Sequence, residues 1–133
     1  MRRIVLVGMC LLVLAAVVPA VGASASPNDS VFRGSRTSID ADGSHQTLDI
    51  RGSGRSGHYA VVLFDDSATV SCHGSPARLQ GSGLAEGNTL FVTGTLTCMP
   101  GGNPLSGRIS LSFVYDPGTD TLTDEFGVTW YRA

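Results

Sequence analysis

The sequence predicts an all-β domain. It reads as one antiparallel meander of about eight strands, forming a small barrel or a sandwich, behind a cleaved N-terminal signal peptide. Three observations carry that expectation. Past Val31 the apolar residues alternate with polar ones, and no window of a dozen residues holds a 3.6-residue apolar period. Turn-forming residues recur about every ten positions, the spacing of a small sandwich or barrel. The first 25 residues have the composition of an export signal and not of a folded element.

That leading segment, "MRRIVLVGMCLLVLAAVVPAVGASA", opens with two arginines. An apolar run from Ile4 to Val18 follows, and small residues close it with Ala23, Ser24 and Ala25. The run is 15 residues long, whereas spanning a bilayer takes about 20. Cleavage near Ala25 and secretion are therefore expected, with no membrane span in the mature form. Residues 26–30 read as a disordered lead-in and residues 31–133 as the domain. Removing 25 of 133 residues leaves 108, enough to bury something over 60% of the unfolded surface in one core.

The strands follow in order. Phe32–Ile39 and Gln46–Arg51 flank "ADGS", and His58–Phe64 follows the glycine-rich "GSGRSG". Ala68–Cys72 and Ala77–Leu84 lie on either side of "HGSP". In "NTLFVTGTLTC", Leu90, Val92, Leu96 and Cys98 share one face. Thr89, Thr93, Thr95 and Thr97 share the other, interrupted by Phe91. Threonine on a solvated pleated surface suits a half-exposed antiparallel sheet. In "GRISLSFVYD", Ile109, Leu111, Phe113 and Tyr115 alternate with Arg108, Ser110 and Ser112. Thr121–Thr123 and Val128–Arg132 complete the set. Connections this short favour hairpins between sequence neighbours. The aromatic end of the chain calls for closure against an early strand, because an open aromatic edge invites aggregation.

Charge and cysteine content narrow the function. The mature part carries seven Arg against eleven Asp plus Glu, a net charge of −4. No basic stripe runs along it, so a nucleic-acid partner is not expected. Every basic residue is arginine, as expected of a GC-rich bacterial genome, and lysine chemistry is excluded. Cys72 and Cys98 alone survive cleavage, and an even count in an exported domain predicts one disulfide.

Each motif resembling a site has a plainer account. "SIDADGSHQTLD" imitates a calcium loop through Asp40, Asp42 and Gly43. Ser38 stands where the first carboxylate is needed, and Asp49 is too short for the closing one. A hairpin with Asp42-Gly43 at its centre is expected instead. Asp116, Asp120, Asp124 and Glu125 are expected to serve turns. Gly52–Gly57 has dinucleotide-binding spacing but leads into a strand, so no cofactor is expected. His45, His58 and His73 lack the spacing of a metal-binding pair, and no metal site is assigned. Asp65 and Asp66 fall on opposite strand faces, and His73 beside them is the one pairing that suggests hydrolytic chemistry.

The reading that follows is a non-enzymatic exported domain that binds a protein or cell-surface partner, through Phe91, Trp130 and Tyr131. A barrel carrying an apolar small molecule is the alternative, with Gly81, Gly83 and Gly94 opening its interior. A small secreted hydrolase built on His73 and an aspartate ranks third.

Overall fold

A computed structural model describes residues 31–52, 57–99 and 104–133. Eight antiparallel strands form a closed barrel in which each pairs with its sequence neighbours and the last returns to the first. They are β1 (Gly34–Ile39), β2 (His45–Arg51), β3 (His58–Ala68), β4 (Ser75–Glu86), β5 (Thr89–Cys98), β6 (Pro104–Asp116), β7 (Thr121–Asp124) and β8 (Thr129–Arg132). One helical turn, α1 (Thr69–Cys72), lies between β3 and β4. The architecture is the predicted meander, and between barrel and sandwich it is the barrel. The expected signal peptide and lead-in, residues 1–30, lie outside the described residues, as do residues 53–56 of the glycine-rich loop.

Period-two alternation decides what faces inward. On β5, Leu90, Val92 and Leu96 are buried while Phe91 and Thr95 are exposed, as the sequence predicts. Leu48 and Ile50 of β2, Val61 and Leu63 of β3, Leu79 of β4, Phe113 of β6 and Leu122 of β7 join them in the core. Trp130 on β8 packs edge-to-face on Phe113, ring centroids 5.9 Å apart.

Gly81 on β4 and Gly94 on β5 are registered directly opposite one another. A Cβ on Gly81 would come within 2.2 Å of the Thr93 carbonyl oxygen, and one on Gly94 within 2.6 Å of Gln80 O. The two strands approach too closely here for any side chain, as a glycine in a tight barrel bend allows. A Cβ on Gly83 would meet Leu90 Cδ1 at 2.9 Å and Val61 Cγ2 at 3.2 Å. These glycines therefore open no interior space: their neighbours already occupy it.

The barrel ends differ. At one, Phe32 is wholly buried ahead of β1 and makes edge-to-face contacts with Tyr59 and Tyr115. This is the arginine end, where Arg36, Asp120 and Arg132 meet. At the cysteine end, Cys72 of α1 and Cys98 of β5 form the predicted disulfide, with Cα atoms 5.5 Å apart.

Two local expectations change. Ala68–Cys72 is not a strand: β3 runs on past Phe64 to Ala68, and α1 follows. A register irregularity between Asp65 and Ala68 bends the strand, and Asp65 Oδ1 accepts the Ser67 backbone N–H at 2.9 Å. His73 then takes φ 53° and Gly74 φ 85° to reverse the chain. In the first hairpin, Gly43 N donates to Asp40 O, and Asp40 N to Ser44 O. Ala41 and Asp42 are thus the central turn residues and Gly43, at φ 87°, takes the left-handed position of a three-residue loop.

Candidate interaction surface

The three expected contact residues separate. Phe91 stands on the outer face of β5, 48% exposed. Its direct cross-strand partners are Leu84 of β4 and Ser112 of β6. Leu84 is also exposed, as is Val114, one outward position beyond Ser112 on β6. Direct partners lie about 5 Å apart and diagonal ones about 7–8 Å, so Leu84, Phe91 and Val114 form one apolar surface. Thr89 and Thr123 flank Val114 in register, and Thr93 and Ser110 lie opposite each other farther along. Sequence alternation exposes Phe91 but does not reveal Leu84 or Val114 beside it, because their adjacency depends on strand register.

Trp130 does not reach the surface. It is 1% exposed, and its indole Nε1 donates to Asp124 Oδ2 at 3.1 Å. Its place is set by register: Trp130 pairs with Leu122 and points inward with it. Tyr131 points outward, 59% exposed, three strands away from Phe91. It belongs to the seam where β1 meets β8, a joint with two registered pairs, Arg36 with Arg132 and Thr37 with Tyr131. Beyond Thr37 the strands diverge, and Ser38 Oγ bridges the gap to Thr129 O at 2.7 Å. A shallow outer groove of about 460 Å³ opens there between Ile39, His45, Thr129 and Tyr131.

The acidic residues are occupied by turn and strand geometry. Asp42 Oδ1 accepts the Ser44 backbone N–H, and its other oxygen accepts the Thr69 hydroxyl. The Thr69 hydrogen bond, first among the causes, holds the Asp42 carboxyl down at about 2. Gln46 Nε2 donates to both Asp40 and Asp65. Asp116 accepts Gly118 N and the Thr119 hydroxyl across its own turn. Asp124 accepts Phe126 N and Val128 N at the opposite end of the barrel, and Glu125 accepts from Ser112 Oγ. The second acidic group is thereby divided between the two ends. Among the described residues, no group of three or more His, Cys, Asp and Glu is placed to hold a metal ion.

Asp65 is buried and Asp66 exposed, the opposite faces that strand geometry demands. Asp66 accepts the backbone N–H of His45. His45 and His73 are exposed at the cysteine end and His58 at the arginine end. Among the described residues, no hydrogen bond joins a histidine ring to a carboxylate or to a serine.

The feature that sequence reasoning misses is Arg36. It lies on a strand reading "GSRTSI", yet is wholly buried. Its Nη1 donates to Asp120 O at 2.8 Å, its Nη2 to Val31 O at 2.9 Å, and Asp120 Oδ1 lies 3.5 Å from Nη2. Burial lowers its pKa, with Arg132 adding to the effect and Asp120 opposing it. Arg132 grips the same carboxylate with Nε at 2.7 Å and Nη2 at 2.9 Å. That side-chain hydrogen bond is the largest influence holding Asp120 down at about 2. Among the described residues no helix is long and apolar enough to cross a membrane. Comparison with known proteins finds no matching family model, no matching curated protein and no matching solved structure.

Proposed function

We propose that this protein is an exported, non-enzymatic barrel that docks a protein partner through the outer face of β4, β5 and β6, centred on Phe91. The observation that carries this reading is the contrast between inside and outside. Inward positions are filled by Leu, Val, Phe and Trp side chains, while Leu84, Phe91 and Val114 stay 39%, 48% and 44% exposed on adjacent strands. Interface cores favour aromatic residues and exclude charge; the residues directly opposite Phe91 are Leu84 and Ser112, with Glu86 and Glu125 at the rim. A carrier of an apolar molecule has less support, because the room beside Gly83 is already taken by Leu90 and Val61. A hydrolase has less still, since Asp65, Asp66 and His73 do not converge.

A photo-cross-linking residue placed at Phe91 tests the proposal, with Thr47, exposed on β2, as the control position. Protein secreted into its native culture medium should capture one reproducible partner from position 91 and none from position 47. Phe91→Asp should abolish capture and leave the thermal midpoint nearly unchanged, as expected of a surface substitution. Equal labelling from both positions, or capture that survives Phe91→Asp, would refute it.

A further inference from the structure

We propose that the outer groove between β1 and β2, at the arginine end, binds a tetrahedral oxyanion, phosphate or a phosphate ester, between the guanidiniums of Arg33 and Arg51. The groove has a volume of about 400 Å³, lined by Arg33, Gly34 and Ser35 on one side and Asp49, Arg51 and Gly52 on the other. Gly34 is registered with Ile50. The register ends there, and Arg33 and Arg51, each one residue beyond it, both line the groove. Both are exposed.

The other two described arginines at this end are committed. Arg36 points inward to Val31 O and Asp120, and Arg132 grips the Asp120 carboxylate. Among the described residues the guanidiniums of Arg33 and Arg51 have neither a hydrogen-bond acceptor nor an ion-pair partner. Like charges lining one groove repel each other, and an anion held between them removes that repulsion. The chain as a whole carries a net charge of −2, so the pair is a local feature and not the product of a basic protein.

Oxygen count selects the ligand class. Each guanidinium is a planar fork that engages two oxygens. A carboxylate has only two oxygens, which two forks would have to share, whereas a phosphate presents enough for each fork to take its own pair. Gly34 and Gly52 bring no side chains of their own into the space between the forks. Asp49 lies in the same groove with Oδ1 accepting the Ser35 hydroxyl. Its charge opposes anion binding and keeps the site weaker than two arginines alone would make it.

The test titrates the full-length secreted protein with inorganic phosphate at low ionic strength, where screening is weak, and follows arginine side-chain NMR signals. Arg33→Gln and Arg51→Gln should each weaken phosphate binding about fivefold or more, the loss of a charge-assisted contact at an exposed site. Asp49→Asn should tighten it about twofold, by removing the adjacent negative charge. All three substitutions are at the surface, so unchanged thermal midpoints show that the fold is intact. Sedimentation with phosphatidylglycerol vesicles, against phosphatidylcholine vesicles, separates the sources. Arginine-dependent cosedimentation that free phosphate competes away assigns a lipid headgroup, and phosphate binding without cosedimentation assigns a soluble ligand. Absence of binding in both arms overturns the proposal, as does phosphate binding indifferent to both arginine substitutions.

Discussion

Asp120 receives two arginines of opposite character: Arg36 from inside the barrel and Arg132 from its surface. Arg36 has no exposed side-chain area, while Arg132 is 40% and Asp120 47% exposed. Burial decides which arginine matters for stability. Arg36→Met leaves Asp120 O without its donor and Val31 O with only the longer bond from Arg132, and should cost about 1–3 kcal/mol, the penalty for an unsatisfied buried acceptor. Arg132→Gln breaks an exposed pair and should cost under about 1 kcal/mol. Urea titrations with unchanged slope would measure both, and equal losses would contradict this account.

The same carboxylate makes stability depend on acid. Asp120 titrates at about 2 in the folded chain against an ordinary 3.8, so the unfolded chain binds the proton first. Its contribution is therefore complete above about pH 5 and is lost as pH falls from about 4 towards 2. Thermal midpoints of Asp120→Asn should lie below those of the parent at neutral pH, and the two curves should converge near pH 2. Curves that stay parallel throughout would show that Asp120 contributes nothing through its charge.

Gly81 and Gly94 give a steric prediction. Gly94→Ala sets a methyl 2.6 Å from Gln80 O and should destabilise by about 3 kcal/mol or more, since overpacking costs typically 1–3 and backbone cannot move aside as a side chain does. Gly43→Ala meets nothing within 4 Å, but must adopt φ +87°, and should cost about 1 kcal/mol. Chemical denaturation of the two variants distinguishes close strand approach from turn geometry.

The disulfide closes 26 residues of chain. The chain-entropy relation assigns such a loop about 3.5 kcal/mol. Replacing Cys72 and Cys98 together by alanine should lower stability by that order. Amide hydrogen exchange should then rise first in α1 and the flanking ends of β3 and β4, which the bond ties to β5.

Strand β5 was legible because alternation is local: each residue's face follows from its neighbour's, and Leu90, Val92 and Leu96 point inward as their spacing requires. The docking surface was legible only in Phe91. Leu84 comes from the strand before Phe91's own, and Val114 from the strand after it.

The sequence by itself determined the strand class, most of the turn regions, the paired cysteines and the polar face of β5, because dihedral preference and period-two alternation act within a few residues. The tertiary structure alone decided that the sheet closes, that Trp130 is core and not contact, and that Arg36 is buried. Arg36 finds its acceptor on Asp120, 84 residues away. No local pattern encodes that distance, since it exists only once β8 has returned to β1 and brought the β6–β7 turn against it.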